Sequence, residues 1–437
     1  MAVLGADHAA AAVRAVAASE HGRILATVIG ATGDWAIAED AVQDALERAL
    51  ARWPEDGVPR NPAAWITTVA RRRAIDLLRS HGAAERAAAR LAAEPALDDE
   101  PTERSAFPHG DERLALVFTA CHPAIAPDAR AALALRTVLG VSIERLARLF
   151  GVGEAAMQKR LVRARAKIAH AGIPYRVPGP AELPARAEGV RQVLYGLYAI
   201  AHAEPTGDDA DGSAADEAIR LTRLCRSLMA EGTHERLELD GLLALMLLQH
   251  ARRAARTSDD GTPVPFVEQD RALWHAEAAA EGLALVDDAL ATAVQGGVPG
   301  GTHLVQAAIA AEHMRPLLAA RIDHERVVEL YRVLERIDPS PHVTLNRAIA
   351  QANAGDAAAG LEALDGLRPA LDAHPLLHAA RGDLLARLGR DAEAAACFRA
   401  AADLAPGERE RRGYRDAAAA AAARLEAGQA QSGSVAR

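Results

Sequence analysis

Apolar residues recur at three- and four-residue spacing along nearly the whole chain, and the β-branched alternation of strands is almost absent. Every sustained pattern therefore predicts helix, and the fold class expected is all-α. A first helical block runs from about His8 to Ser80. The segment "AAEPALDDEPTERSAFPHGDE" then loses all apolar period and reads as a flexible linker. A second block runs from Arg113 to about Ala171 and ends in the proline-rich break "GIPYRVPGPAELPAR". A third, longer block follows to Leu425, and the tail "EAGQAQSGSVAR" is expected to be disordered. The domain reading is 1–82, a linker over 83–110, 111–172, a linker over 173–186, 187–425 and a tail over 426–437.

Two local patterns carry more than fold class. In "SIERLARLFGVGEAAMQKRLVRARAKI", Ile143, Leu146, Ala147 and Phe150 line one face of a short helix. Gly151 and Gly153 are expected to permit a sharp turn. Met157, Leu161, Ala164 and Ile168 line a second helix, whose other faces carry Gln158, Lys159, Arg160, Arg163, Arg165 and Lys167. This is the pattern of a helix-turn-helix, in which one helix braces and the other enters the major groove. Nearer the N-terminus, "AEDAVQDALERAL" sets an apolar stripe of Ala41, Val42, Ala45, Leu46 and Ala49 beside a polar stripe of Asp40, Gln43, Asp44 and Glu47. After it, "PRNPAAWITTVARRRAIDLLRS" begins a helix at Asn61-Pro62. Trp65, Val69 and Ile75 are expected to face inward, with Arg71, Arg72, Arg73 and Arg79 outward.

Composition sharpens this picture. The 437 residues carry a formal net charge of −9, so the basic helix is a local patch on an acidic chain rather than part of a globally basic nucleic-acid binder. Aromatic residues are only 3%, which favours close contacts between alanine-rich helices. Cys121, Cys225 and Cys397 are few, distant and odd in number, and are expected to be reduced and buried. No signal-peptide pattern opens the chain and "LLALMLLQ" is too short to span a bilayer, so the location expected is the cytoplasm, without membrane.

The last block holds a repeat. In "HPLLHAARGDLLARLGRDAEAAACFRAAADLAP", Gly382, Gly389, Ala394, Phe398, Ala401 and Pro406 fall where a tetratricopeptide unit places small and packing residues. Gly355, 34 residues before Gly389, marks a second copy, and "ERVVELYRVLERIDPS" a degenerate third.

"DWAIAEDAVQDALERALARWP…NPAAWITTVARRRAIDLLRS" resembles region 2 of bacterial RNA polymerase sigma factors of the extracytoplasmic-function type, within the sigma-70 family. "ACHPAIAPDARAALALRTVLGVSIERLARLFGVGEAAMQKRLVRARAKI" resembles their region 4. The remainder is similar to the long helical extension of one subgroup. The resemblance implies a transcription initiation factor, not an enzyme, with no cofactor and no metal. It implies binding of the polymerase core, at the clamp coiled coil of the largest subunit and the flap region of the second-largest, and of promoter DNA. Asp40, Gln43, Asp44 and Glu47 would meet the core. Arg60, Asn61, Trp65, Thr68, Arg71, Arg72, Arg73 and Arg79 would read the minus-ten element. Ser142, Glu154, Gln158, Lys159, Arg160, Arg163 and Arg165 would read the minus-thirty-five element. The C-terminal helices would regulate or support activity, through a protein partner on the repeats. The alternative reading is a stand-alone helix-turn-helix regulator with a ligand- or protein-binding repeat domain.

Three further clusters read as structural: the histidine pairs His374/His378 and His303/His313, each lacking a third ligand, and Glu268, Asp270, Arg271 and Trp274, which suit a capped helix start.

Overall fold

The computed structural model describes residues 2–80, 112–203, 213–258, 264, 266–315 and 322–435. The expected linker over 83–110 lies outside the described residues. The chain divides into two compact units, Met1–Leu239 and Asp240–Arg437. Among the described residues there is no strand, and no helix is long and apolar enough to cross a membrane.

The first unit opens with α1 (Ala2–Ser19), α2 (His21–Thr32), α3 (Trp35–Asp56) and α4 (Pro62–Ser80). Gly33, with φ of 69°, closes α2 in the left-handed conformation, and the Asp34 carboxylate accepts from the Ala36 and Ile37 amides to start α3. Helix α3 packs along α4, and α2 crosses both. The buried face of α4 is Ala63, Ile66, Ala70, Ala74 and Leu78. Trp65, Val69 and Ile75, expected inward, are only half-buried on its flanks. The alanines of an i, i+4 row let the helices approach, and the larger residues fill the edges.

Next come α5 (Glu112–Ala120), α6 (Pro127–Leu139), α7 (Ile143–Leu149) and α8 (Glu154–His170). They close around Leu114, Leu116, Phe118, Leu133, Leu146, Met157 and Leu161, all buried. Helices α9 (Leu183–Ala203) and α10 (Ser213–Ser227) complete this unit, with α9 against α6 and α5. The boundary expected at 173–186 is thus a turn inside a unit. Its prolines redirect the chain, and the apolar face of α9 (Val190, Val193, Leu194, Leu197) then buries itself on the preceding helices.

The division between the units falls within α11 (His234–Ala251). The second unit continues with α12 (Ala276–Gly296), α13 (Thr302–Met314), α14 (His324–Ile337), α15 (Pro341–Asn353), α16 (Ala357–Gly366), α17 (Arg368–Leu371), α18 (Pro375–Arg387), α19 (Asp391–Leu404) and α20 (Glu408–Val435). From α14 onward each helix packs chiefly on its neighbours in sequence. Gly355 and Gly389, with φ of 109° and 73°, turn α15 into the start of α16 and α18 into α19. At Gly382 a Cβ would lie 2.9 Å from the Phe398 ring, so the glycine sets the closeness of α18 and α19. The tail expected to be disordered continues α20 to Val435, an alanine-rich helix. Cys121 and Cys225 are buried, whereas Cys397 is half-buried, and all three are free thiols. Burial pushes the Cys225 thiol up to about 12, so it packs as a small hydrophobe.

Candidate nucleic-acid interface

Helix α7 starts on Ser142, whose hydroxyl accepts from the Arg145 amide at 3.2 Å. It ends at Phe150, and Gly151 turns the chain with φ of 62°. Gly153, expected to share that role, has an ordinary φ of −71° and stands at the N-cap of α8. The turn therefore requires one glycine only. Met157, Leu161, Ala164 and Ile168 are all buried against the rest of the fold. That leaves Glu154, Gln158, Lys159, Arg163 and Lys167 exposed on the remaining faces of α8. Glu154 sits in the first turn, where the helix dipole favours a carboxylate. Arg160 is half-buried with its guanidinium 5.6 Å from the Phe150 ring centre, and Arg163 Nε donates to the Lys159 carbonyl at 3.2 Å.

On α3, Asp40, Gln43 and Glu47 are exposed, and Gln43 Nε2 donates to Glu47 Oε1 at 3.0 Å. Asp44 differs: it is half-buried and accepts from Arg73 Nε of α4. Two residues expected to have different partners thus pair with each other. Trp65 packs edge-on against Trp53, ring centres 5.5 Å apart. Asn61 caps α4, its Oδ1 accepting from the Ala64 amide at 3.1 Å, and the Thr68 hydroxyl donates to the Ala64 carbonyl at 2.9 Å. Arg60 and Arg72 are exposed, Arg71 is half-exposed, and Arg79 lies 3.9 Å from Asp76.

The two patches do not stand apart. Helix α2 packs on α5 and α6. Gly22 touches the backbone of α6: a Cβ there would meet the Val138 carbonyl oxygen at 2.4 Å. His21 lies against Gly140, and burial, then the charge of Arg136, pushes its pKa down from 6.5 to about 4. Trp35 and Tyr175 meet edge-on at 6.4 Å. Arg165 of α8 is paired at 2.6 Å with Glu39 of α3, the side chains 20% and 19% exposed. Glu39 was not singled out by any pattern in the sequence, because its partner lies on another helix far along the chain. Burial raises its pKa against the opposing pull of Arg165 and Arg136.

In the second unit, the Asp270 carboxylate accepts from the Ala272 amide at 2.9 Å and caps a short turn, as the sequence reading of that cluster has it. Trp274 is buried against Phe266, ring centres 5.7 Å apart. His374 caps α18 through its Nδ1, and His378 Nε2 lies 2.7 Å from the Asp372 carbonyl. No group of three ligating side chains suited to a metal occurs among the described residues.

Three family models match the chain: Sigma-70 region 2 over residues 17–84, Sigma-70 region 4 over residues 116–168, and a family of unknown function (DUF6596) over residues 186–290. A Rhizobium meliloti (strain 1021) protein, itself uncharacterised, is 38% identical over 379 residues, which is 84% of this chain and 86% of that protein. A probable RNA polymerase sigma factor, RfaY, of Xanthomonas campestris pv. campestris is 34% identical over 151 residues, 33% of this chain and 36% of that one.

Proposed function

The chain belongs to the sigma-70 family, a family of initiation factors that bind RNA polymerase core and promoter DNA, and on that premise we propose how its residues divide the work. The exposed stripe Asp40, Gln43 and Glu47 of α3 docks on a basic surface of the core, the clamp coiled coil of the largest subunit. Helix α8 reads the minus-thirty-five element. Gln158 and Glu154 lie near its N-terminus, where side chains reach base edges, and Lys159, Arg163 and Lys167 hold phosphates. Helix α4 reads and opens the minus-ten element, with Arg60, Arg71 and Arg72 on the backbone. Trp65, Asn61, Thr68 and Ser142 serve mainly as packing and capping groups that fix these helices. The flap of the second-largest subunit is the expected partner of the region around α5 to α8. The chain is of the extracytoplasmic-function type.

The observation that carries this reading is α8 itself: one face fully buried by four apolar residues, the other presenting Gln158, Lys159 and Arg163 to solvent. The extension divides in two. Its first helices, α9 and α10, support region 4 by completing its core. Arg186 Nη1 donates to the Phe118 carbonyl at 3.2 Å, and Arg113 pairs with Glu217 at 3.0 Å with both side chains largely buried. The later helices form tetratricopeptide-like pairs that offer a surface to a protein partner.

Run-off transcription with purified core polymerase on fragmented genomic DNA tests the reading. The full-length chain is expected to direct initiation at discrete sites. Asp40→Lys with Glu47→Lys should weaken assembly with the core at least ten-fold, a loss of about 1.4 kcal/mol or more, while Lys159→Gln should lower promoter affinity and reduce the salt slope by about 1. Unchanged assembly of the charge-reversed chain would refute the docking assignment.

A further inference from the structure

A cleft of about 320 Å³ opens in the first unit, and none of its lining residues belongs to α3, α4 or α8. Its walls are α1 (Arg14, Ala17), the turn from α6 into α7 (Leu139 to Ser142, with Arg145 in the first turn of α7), the end of α9 (Ile200, Ala201) and the start of α10 (Ala214). Helix α1 packs on α2, α3 and α4, whereas α9 packs on α5, α6 and α10. The two groups of helices face each other here without filling the space between them. Residues from all three matched segments meet in the cleft: Ala17 from the region 2 match, Leu139 to Ser142 from the region 4 match, and Ile200 and Ala214 from the family of unknown function.

We infer that this cleft binds a small amphipathic anion, one carboxylate or phosphate head on a short apolar body. The site goes beyond the initiation role proposed above and does not depend on it.

Three features support it. The first is size: the volume lies at the lower end of the range of about 300–1,000 Å³ found for small-molecule pockets. The second is the division of the lining. Leu139, Val141, Ile200 and three alanines make an apolar floor, and Leu139 and Ile200 are only half-buried, so an apolar body laid over them gains by removing them from water. The remaining side chains are donors. Arg14 is exposed and has no ion pair or hydrogen bond among the described residues. Arg145 is half-buried on another wall. The Ser142 hydroxyl accepts from the Arg145 amide, which leaves its own O–H to donate to a ligand. None of the lining residues is acidic, so the cleft attracts negative charge although the chain as a whole carries −9. The third is a preformed wall. Arg136 Nη1 donates to the Val141 carbonyl at 3.1 Å, and the His21 ring lies against Gly140 at φ of 66°. The turn is thereby held from behind, and little ordering is left for a ligand to impose.

The test is calorimetric titration of the full-length chain, without polymerase or DNA, so that its outcome is separate from that of the initiation role. Octanoate and octyl phosphate are the probes. At least one of them is expected to bind at a single site with half-saturation on the order of 1 mM or tighter, and the tighter of the two identifies the head group. Octan-1-ol lacks the charge, and acetate and inorganic phosphate lack the body; each should bind about ten-fold more weakly or less. Arg14→Gln changes an exposed side chain and should not disturb folding. It is expected to weaken the preferred anion about five-fold or more, the effect of one lost charge-assisted contact, and to leave octan-1-ol unchanged. Ala201→Phe should fill the cleft and block every probe. The melting temperature should rise with the preferred anion in the parent chain and stay constant in Ala201→Phe. Should Ala201→Phe melt far below the parent, Arg14→Gln decides alone. Failure of both anions to bind, equal affinity for octan-1-ol, or binding that Arg14→Gln leaves unchanged, which would mark scattered adsorption to apolar surface, would each overturn the inference.

Discussion

Gly22 has no side chain where α2 crosses α6, and a Cβ would stand 2.4 Å from the Val138 carbonyl oxygen. Backbone cannot rotate aside as a flexible side chain can. Gly22→Ala is expected to force the helices apart and to lower the stability of the first unit by about 1–3 kcal/mol, seen as a lower urea midpoint with an unchanged slope. At this scale the sequence was legible where a residue's role depends on its own helix. The buried set Met157, Leu161, Ala164 and Ile168 follows from 3.6-residue periodicity alone. It was not legible where a role depends on a partner. Arg73 has the same local surroundings as Arg71 and Arg72, and only the packing of α4 on α3 hands it to Asp44. Glu39 is likewise one acid among several until α8 arrives beside it.

At the scale of elements, the crossing of α2 over α6 is acid-sensitive. The folded unit holds the His21 ring neutral, with its pKa lowered from 6.5 to about 4. The unfolded chain protonates below pH ~6.5. More protons are therefore bound by the unfolded state between about pH 6.5 and 4, and stability rises with pH across that window. The contribution is complete above pH 6.5 and is lost progressively as the pH falls, by at most about 1.4 kcal/mol per unit. Urea midpoints at pH 7.5, 5.5 and 4.5 should show this loss in the parent chain and a smaller one in His21→Gln. Helix existence was read correctly from apolar spacing, but two ends were not. The Gly- and Ser-containing tail continues α20 to Val435, because its alanines and glutamines carry the helix past them. The proline-rich stretch before α9 suggests a boundary between bodies, yet Tyr175 within it packs on Trp35. Prolines mark a change of chain direction; whether a new core begins there depends on which faces remain to be covered.

For the molecule as a whole, the first compact unit runs to Leu239, well past the region 4 match ending at residue 168. Truncation tests what those extra helices do. A chain ending at Ala171 would uncover the faces of α5 and α6 on which α9 packs and leave Arg113 without Glu217. It is expected to lose cooperative melting of the region 4 part and to fail in run-off transcription. A chain ending at Thr233, before α11 begins, should keep that melting transition. Equal melting of the two truncated chains would show that α9 and α10 are dispensable to region 4.

The bridge from Glu39 to Arg165 joins residues 126 positions apart in the sequence. Selection acting on α8 therefore reaches back into α3. A lineage that exchanged Arg165 for a neutral residue would leave Glu39 a half-buried charge without its ion-pair partner, opposed by the more weakly acting Arg136, and drift should then erase that acid. Descendants of one ancestor are expected to keep the two together or to shed them together, a correlated history that a broad sampling of bacterial genomes would reveal as coupled substitution at positions 39 and 165.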